Sequence, residues 1–561
     1  MNYPIVVTEE EVAEMKTKYD EIQALIAEED QILHDYMTHV KVFNKCFVTD
    51  DSPHSNSSDF VAGQQKKLKP DRKFPNKQKQ IYSNVRHLES LLYPWLTQRS
   101  PIFEPVNGKR YTLFKSLYPF LNGRGIVLTM ADSHVDSAVR LFHLLRSLDT
   151  KLPIQIIYQP DNLSDDSKFQ LIQATTSKFF DYSTLDLTFV NVKPAIDKEY
   201  RDKFSGFGNK ILAVLFNSFE EMIFLDADAV VTKSPEEFFR LKKYVRSGTL
   251  FYKDRATVEY RPESDITFFK KLMNTQMDEI FFGMDQVTNK TMQLPFFSQR
   301  MSHFMESGLV LIDRRRHFQQ PLIMSLMNFY ETVKSRIYGD KELFWLSLAL
   351  SGDESFEFNK HFAAAIGEIT PLKERLKDIG KTQTILSREI CSNHPAHISD
   401  EDNRTLLWFN SGYQFCNQLE NIDFGREASD KKRYSKFKST KQFEKFFRSQ
   451  LSVKAAIIPP SKKLEADNNL GEPSRAWVNM RQYCDGYTWC GYSSIGAGTS
   501  EDEQGTVIEF TALETNKYEK LGKIWMNDFD YQQCGNGYIE VKSVADTLIA
   551  CRFCSNMRIK H

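Results

Sequence analysis

Two carboxylates separated by one residue, Asp226 and Asp228, stand at the end of an apolar run, Met222 to Leu225, and Val230 and Val231 follow them. An unpaired carboxylate taken out of water costs several kcal/mol, so such a pair calls for positive charge. Where the backbone turns at a strand end, both can reach one divalent cation, and a hard cation held by oxygens can also hold a diphosphate. A pair of exposed turn carboxylates is the plainer alternative. No G-x-x-x-x-G-K-[ST] loop occurs, so a diphosphate would depend on metal and side chains.

Other stretches carry candidate chemistry. "HFMESGLVLID" places Glu306, Ser307 and Gly308 just before a buried strand. "YGDKELFWLSLAL" puts Asp340 where a helix begins, a position that also suits an N-cap. "YKDR" brings Asp254 and Arg255 one strand-length beyond the carboxylate pair. "CSNHPAHISDEDNRTLLWFNSG" holds His394 and His397 before an aromatic strand, and His361 lies in "NKHFAAAIG". Lys210 precedes the Asp226 strand on a helix, where a solvated lysine is equally ordinary.

The elements that position these residues alternate. "GIVLTM", "LPIQIIY", "LDLTFVNV" and "EMIFL" read as short apolar strands, with amphipathic or apolar helical segments between them. That alternation predicts a parallel sheet with helices on both faces, and ligands sit beyond the carboxyl ends of such strands. Asp226 and Asp228 are at such an end. "SGLVLID" predicts a further buried strand, and helices are expected at about 318–337 and 340–351.

The rest of the chain divides by composition. Residues 1–48 predict a helical stem opened by a Thr8/Glu11 capping box, either a coiled coil or a helix packed on the body. A polar linker or mobile loop is expected at 49–80, a helical lead-in at 81–122 and the catalytic domain at 123–426. A basic helix and linker at 427–472 and a small Cys-rich module at 473–561 complete the chain. Five of the eight cysteines, from Cys484 to Cys554, lie in that last segment, which fits disulfides in an oxidising compartment. A Cys391–Cys416 pair is expected in the sheet domain, leaving Cys46 for the odd partner. Zinc held by Cys551 and Cys554 with Cys484, Cys490 or Cys534 is the competing reading.

With 561 residues, 41% of them hydrophobic, and a net charge of −1, the chain can build several domains and lacks the basic excess of a nucleic-acid binder. No apolar run is long enough for a transmembrane helix. Four N-x-Ser/Thr sequons, at Asn56, Asn162, Asn289 and Asn403, favour a soluble portion of an anchored secretory protein.

"GRGIVLTMADSHVDSAVRLFHLLRSLDTKLPIQIIY", "GNKILAVLFNSFEEMIFLDADAVV", "LFYKDR", "ESGLVLIDRRR", "YGDKELFWL" and "ICSNHPAHISDEDNRTLLWFNSG" run in order from about 123 to 412. Together they resemble the fungal Golgi α-1,3-mannosyltransferase family. The resemblance implies an α/β fold of GT-A type, a Rossmann-like mixed sheet flanked by helices. It also implies transfer of mannose, with retention, from GDP-mannose to a mannose-terminated N- or O-linked glycan, using Mn²⁺. Carried onto this sequence, Asp226, Asp228 and a late histidine, His397, would hold the metal. Asp226, Lys210, Asp254 and Arg255 would hold the donor, and Asp340 and Glu306 would serve the mannose and the acceptor. The family's members are type II Golgi membrane enzymes, so this chain is expected to be a lumenal portion. A related α-1,2-transferase and a non-catalytic glycan-binding subunit are the alternatives.

Overall fold

Between residues 124 and 225 the strand and helix alternation folds as the sequence pattern predicts. In this computed structural model the described residues are 9–48, 75–112 except 98, 121–378 except 258, 387–417, 421–429, 433–461, 476–495 and 500–526, with the backbone of 531–534 and 537–540. Strands β1 (Ile102–Pro105), β2 (Tyr111–Thr112), β3 (Arg124–Thr129), β4 (Ile154–Tyr158), β5 (Leu187–Asn191) and β6 (Glu221–Leu225) come first. β7 (Val230–Val231), β8 (Thr249–Lys253) and β9 (Met305–Asp313) follow. The main sheet runs β2-β1-β5-β4-β3-β6-β9-β8. β5, β4, β3 and β6 are parallel, whereas β9 is antiparallel to both β6 and β8. This is the mixed, Rossmann-like sheet expected of a GT-A fold.

Helices α1 (Glu9–Phe43), α2 (Pro75–Leu92), α3 (Val135–Ser147), α4 (Asp165–Thr176) and α5 (Asn209–Phe216) precede β6. Ser164 caps α4 by accepting from the Ser167 amide. α5 is buried along nearly its whole length, Lys210 included, because it packs across β3 and β4. α1 buries Leu33, Met37, Val40 and Phe43, while Met15, Tyr19 and Leu25 near its start are exposed. Its later half is thus a packed helix, and the Thr8 cap lies outside the described residues. So does most of the expected linker, and α2 already begins at Pro75.

A second sheet is built from β10 (Ala364–Gly367), β12 (Pro395–Ile398), β13 (Leu406–Phe409), β14 (Ala455–Ile458) and β17 (Thr506–Glu509). Its order is β17-β14-β10-β12-β13-β7. β7 joins it directly after the Asp226 turn, so the chain passes from one sheet to the other at the carboxylate pair. β11 (Glu389–Ser392), β15 (Trp477–Asn479) and β16 (Trp489–Tyr492) form a third sheet in the order β11-β16-β15.

These pairings correct the view of the C-terminal segment as a separate module. Residues 477–509 supply strands to two sheets, and a helix at Ala512–Met526 packs on α3. The disulfides follow. Cys391 lies opposite Cys490 in the β11–β16 ladder and is bonded to it, and Cys416 is bonded to Cys484. The expected Cys391–Cys416 pair does not form, and Cys46 is a free, exposed thiol. Cys484 and Cys490 are thereby removed from any zinc site, while Cys551 and Cys554 lie outside the described residues. Residues 427–450 form two short helices, Phe424–Ser429 and Thr440–Phe447, and not one surface helix. Phe443 and Phe447 are buried there against Tyr434. No helix among the described residues is long and apolar enough to cross a membrane.

Candidate active site

The end of β6 sets the site. The Asp226 amide donates to the Gly308 carbonyl on β9, and the Ala229 amide donates back to the Asp226 carbonyl, closing the turn. The Asp228 carbonyl accepts from the Gly412 amide, so the loop after β13 rests on the same turn. Gly308 permits this approach. A Cβ there would lie 2.9 Å from the Asn410 amide nitrogen and 3.0 Å from the Trp408 ring.

Lys210 answers the charge of the pair. Its Nζ lies 2.9 Å from Asp226 and 3.4 Å from Asp340, and it donates to the Ser307 hydroxyl at 3.3 Å. The lysine is therefore buried and paired, not a solvated helix residue. Burial opposes its charge, but Asp226, Asp340 and Glu306 outweigh burial and hold the ammonium above the ordinary lysine range. Asp226 is pushed up to about 6, chiefly by burial, with Asp228 and Asp340 adding and Lys210 opposing. Burial, with Glu306, also raises the Asp228 carboxyl. Among the described residues Asp228 forms no ion pair. Asp340 is buried, and its Oδ2 makes no hydrogen bond. The residue at the helix N-cap is Glu342, which leaves the Asp340 side chain free to face Lys210.

A second group adjoins the first. Glu306 accepts from the Gly308 amide and from Asn410, each at 3.2 Å, and pairs with Lys341 at 3.2 Å. Lys341 also reaches Asp254 at 2.8 Å. Burial works against the Asp254 charge, yet Lys341 and Arg255 hold its carboxyl down at about 2. The Arg255 guanidinium stands over the rings of Trp477 and Trp489, 5.6 Å from each centroid, and donates to the Asn393 carbonyl. Asp254 and Arg255 thus belong to an interior network that ends on Glu306.

His397 lies near Asp254, Arg255 and Lys341 but is not gathered with the Asp226 pair. It is fully buried on β12, stacked on Trp408 at 4.2 Å with Tyr252 at 5.0 Å, and neither ring nitrogen has a hydrogen-bond partner. Burial pushes its imidazole down to about 3, so the ring is neutral. Asp226, Asp228 and His397 are not brought within 4.8 Å of one another. Among the described residues only Glu389, Cys391 and Cys490 are so gathered, and two of those form a disulfide. His394 points its Nε2 at the Gln414 carbonyl, 3.0 Å away. His361 bonds to Asn403.

The residues present fit a divalent cation. Five carboxylates (Asp226, Asp228, Asp254, Glu306, Asp340) face three cations (Lys210, Lys341, Arg255), which leaves a formal surplus of two negative charges. The donors are hard oxygens. Ser307 was named beside Glu306 without a role, whereas Lys341 and Asn410 were missed as site residues, although both lie within the motifs singled out, next to Asp340 and the "WF" strand end.

A Rossmann-like mixed sheet with an Asp-x-Asp turn at the carboxyl end of its fourth parallel strand, facing buried lysine and carboxylates, defines a glycosyltransferase. Residues 123–399 match the family described as "Mannosyltransferase putative". The chain is 48% identical over 94% of its length to "Putative alpha-1,3-mannosyltransferase MNN14" of Candida albicans, and covers 78% of that protein. It is 28% identical over 66% of its length to "Alpha-1,3-mannosyltransferase MNN1" of Saccharomyces cerevisiae, and covers 50% of it. Among solved structures, apo mouse xyloside xylosyltransferase 1 aligns over 42% of this chain and 85% of that one, at 13% identity and a TM-score of 0.26, too loose a match to carry weight. The chain belongs to the fungal α-1,3-mannosyltransferase family.

Proposed function

We propose that the protein transfers mannose from GDP-mannose to a mannose-terminated glycan, forming an α-1,3 linkage with retention, and that it needs Mn²⁺. The observation that carries this is the surplus of two negative charges around Asp226 and Asp228, which a divalent cation and the donor it binds would offset. The names of the relatives support mannose and the α-1,3 linkage.

Asp226 and Asp228 would hold the cation, which when bound supplies Lewis-acid stabilisation of the departing diphosphate. Lys210 keeps Asp226 and Asp340 aligned from beneath. In the reaction the bond between the mannose anomeric carbon and the phosphate oxygen breaks, and a bond from that carbon to the acceptor oxygen forms. The acceptor proton leaves with the diphosphate. The Asp340 carboxylate, whose Oδ2 lies 3.4 Å from the Lys210 ammonium, is suited to stabilise the positive charge that develops at the anomeric carbon. Glu306, fixed by Lys341 and Asn410, would orient the acceptor hydroxyl. The disulfides and sequons suit an oxidising, glycosylating compartment, and we place the full protein in the Golgi lumen as a single-pass type II membrane protein.

The test is incubation with GDP-mannose, Mn²⁺ and short α-mannosides, with the product linkage read by NMR. An α-1,2 product would move the protein to the related specificity. GDP with Mn²⁺ at 100 times the Kd should stabilise the fold by about 2.7 kcal/mol. No transfer and no stabilisation would leave a glycan-binding subunit.

A further inference from the structure

Three rings gather beside the turn that carries Asp340. Phe207 and Tyr338 are 55% and 61% exposed, with their centroids 6.4 Å apart. His303 meets Tyr338 edge-on at 5.3 Å and pairs with Glu259 at 3.1 Å. Each ring lies two or three residues before a residue of the centre: Phe207 before Lys210, Tyr338 before Asp340, and His303 before Glu306. Phe207 is also laid against the turn that carries Asp340. Gly339 has φ +63, and a Cβ there would come 3.1 Å from the Phe207 ring.

We propose that Phe207 and Tyr338, edged by His303 and Glu259, form the subsite that receives the acceptor sugar. This deepens the function proposed above and rests on it. A pyranose presents a face of C–H groups and a rim of hydroxyls. Two solvent-facing rings match the face, and an imidazole–carboxylate pair matches the rim. A nucleobase also stacks on aromatic rings. However, nucleotides in open α/β sheets lie beyond the carboxyl ends of the parallel strands. The ridge takes Phe207 from the loop after parallel strand β5, but Tyr338 and His303 come from segments that follow no parallel strand. It rises beside the two carboxylates, Asp340 and Glu306, assigned to mannose and acceptor.

Tyr338→Ala is the cleaner variant, because Phe207 also supports the Gly339 turn. Binding of methyl α-mannobioside is measured by saturation-transfer NMR and titration without donor, and the acceptor KM and the GDP affinity in Mn²⁺ are measured alongside. The mannobioside Kd and the acceptor KM should both rise about tenfold, with GDP affinity held within about twofold. Tyr338→Phe should restore both. Weakened GDP binding with an unchanged mannobioside Kd would put the base on the ridge and overturn the proposal, as would no change in either. Mannobioside binding is read without turnover, so the subsite stands or falls on it even if the transfer reaction itself fails.

Discussion

The ammonium of Lys210 lies 2.9 Å from the Asp226 carboxylate at the end of β6, with the lysine side chain 9% exposed and the aspartate side chain 25%. A lysine on a buried helix and an aspartate at a buried strand end each carry a desolvation cost that the other offsets. Asp340 shares the same ammonium. Removing the lysine therefore strands two acids at once, which makes Lys210 the most informative single substitution in the centre.

Lys210→Met should lower stability by about 3–5 kcal/mol, the usual cost of removing one partner of a buried pair. Adding Asp340→Asn should recover part of that loss. Chemical denaturation of the single and double variants checks both. A Lys210→Met protein as stable as wild type would remove the pairing from the account of the site.

Asp228→Asn should fold and reduce transfer by about 100-fold or more, since an amide is a poor ligand for a hard cation. Its stability at neutral pH should equal or slightly exceed wild type, because burial and Glu306 both oppose charge at this position. Turnover at the wild-type rate would end the assignment of the cation to this turn.

His397→Phe should keep Mn²⁺ affinity in the presence of GDP and equal or raise the Tm. The ring is stacked on Trp408 with Tyr252 tilted against it, and two buried nitrogens without partners cost stability that phenyl does not. A loss of Mn²⁺ affinity of about 10- to 100-fold would return His397 to the metal shell.

Lys41 is buried on α1, where its Nζ donates to the Leu272 carbonyl at 2.9 Å. Burial lowers it from 10.5 to about 8, and Asp278 opposes this only in part. A folded pKa below the unfolded one means stability that is present above pH 10.5 and lost as pH falls through 8. Lys41→Met should therefore stabilise by about 1–2 kcal/mol at and below pH 8, after allowing for the lost hydrogen bond. The gain should shrink steadily from pH 8 to 10.5 in melting experiments, and a gain independent of pH would refute the charge explanation.

Replacing Cys391 and Cys490 together by Ala should cost about 2–4 kcal/mol, because the bond closes a long loop in the unfolded chain. Non-reduced peptide mapping should recover Cys391 with Cys490 and Cys416 with Cys484. Recovery of Cys391 with Cys416 would contradict the ladder register of β11 and β16.

Much of the first sheet was legible in the sequence, because each strand is a short apolar run and each helix carries its own cap or stripe. Ser164 and the run from Met222 to Leu225 are examples. The second and third sheets were not. The aromatic run at β13 was expected as a strand, but β10 pairs antiparallel with β12 and β14, and β14 with β17, across long intervals, and four-residue runs such as "AAIG" carry no sign of their partners. In the site, Asp226, Asp228, Glu306 and Asp340 announced themselves as acids beside buried elements. Lys341 did not, because a charged residue beside Asp340 looks the same in sequence whether it faces solvent or two carboxylates. The cysteine pairing failed for a related reason: nearness along the chain says little about which strands become neighbours.

The two tryptophans around Arg255 set an order of events. Trp477 and Trp489 follow Arg255 by more than two hundred residues, and the bonds that tie them down close loops of 99 and 68 residues. During synthesis the donor-side strands are complete long before the last partner of the Glu306 network emerges. A nascent or truncated chain ending before residue 477 would already present its Asp-x-Asp turn yet lack the wall behind Arg255. The packing around Arg255 is thus completed late in synthesis, after the chain has threaded back and the cysteines beside Trp489 have been oxidised.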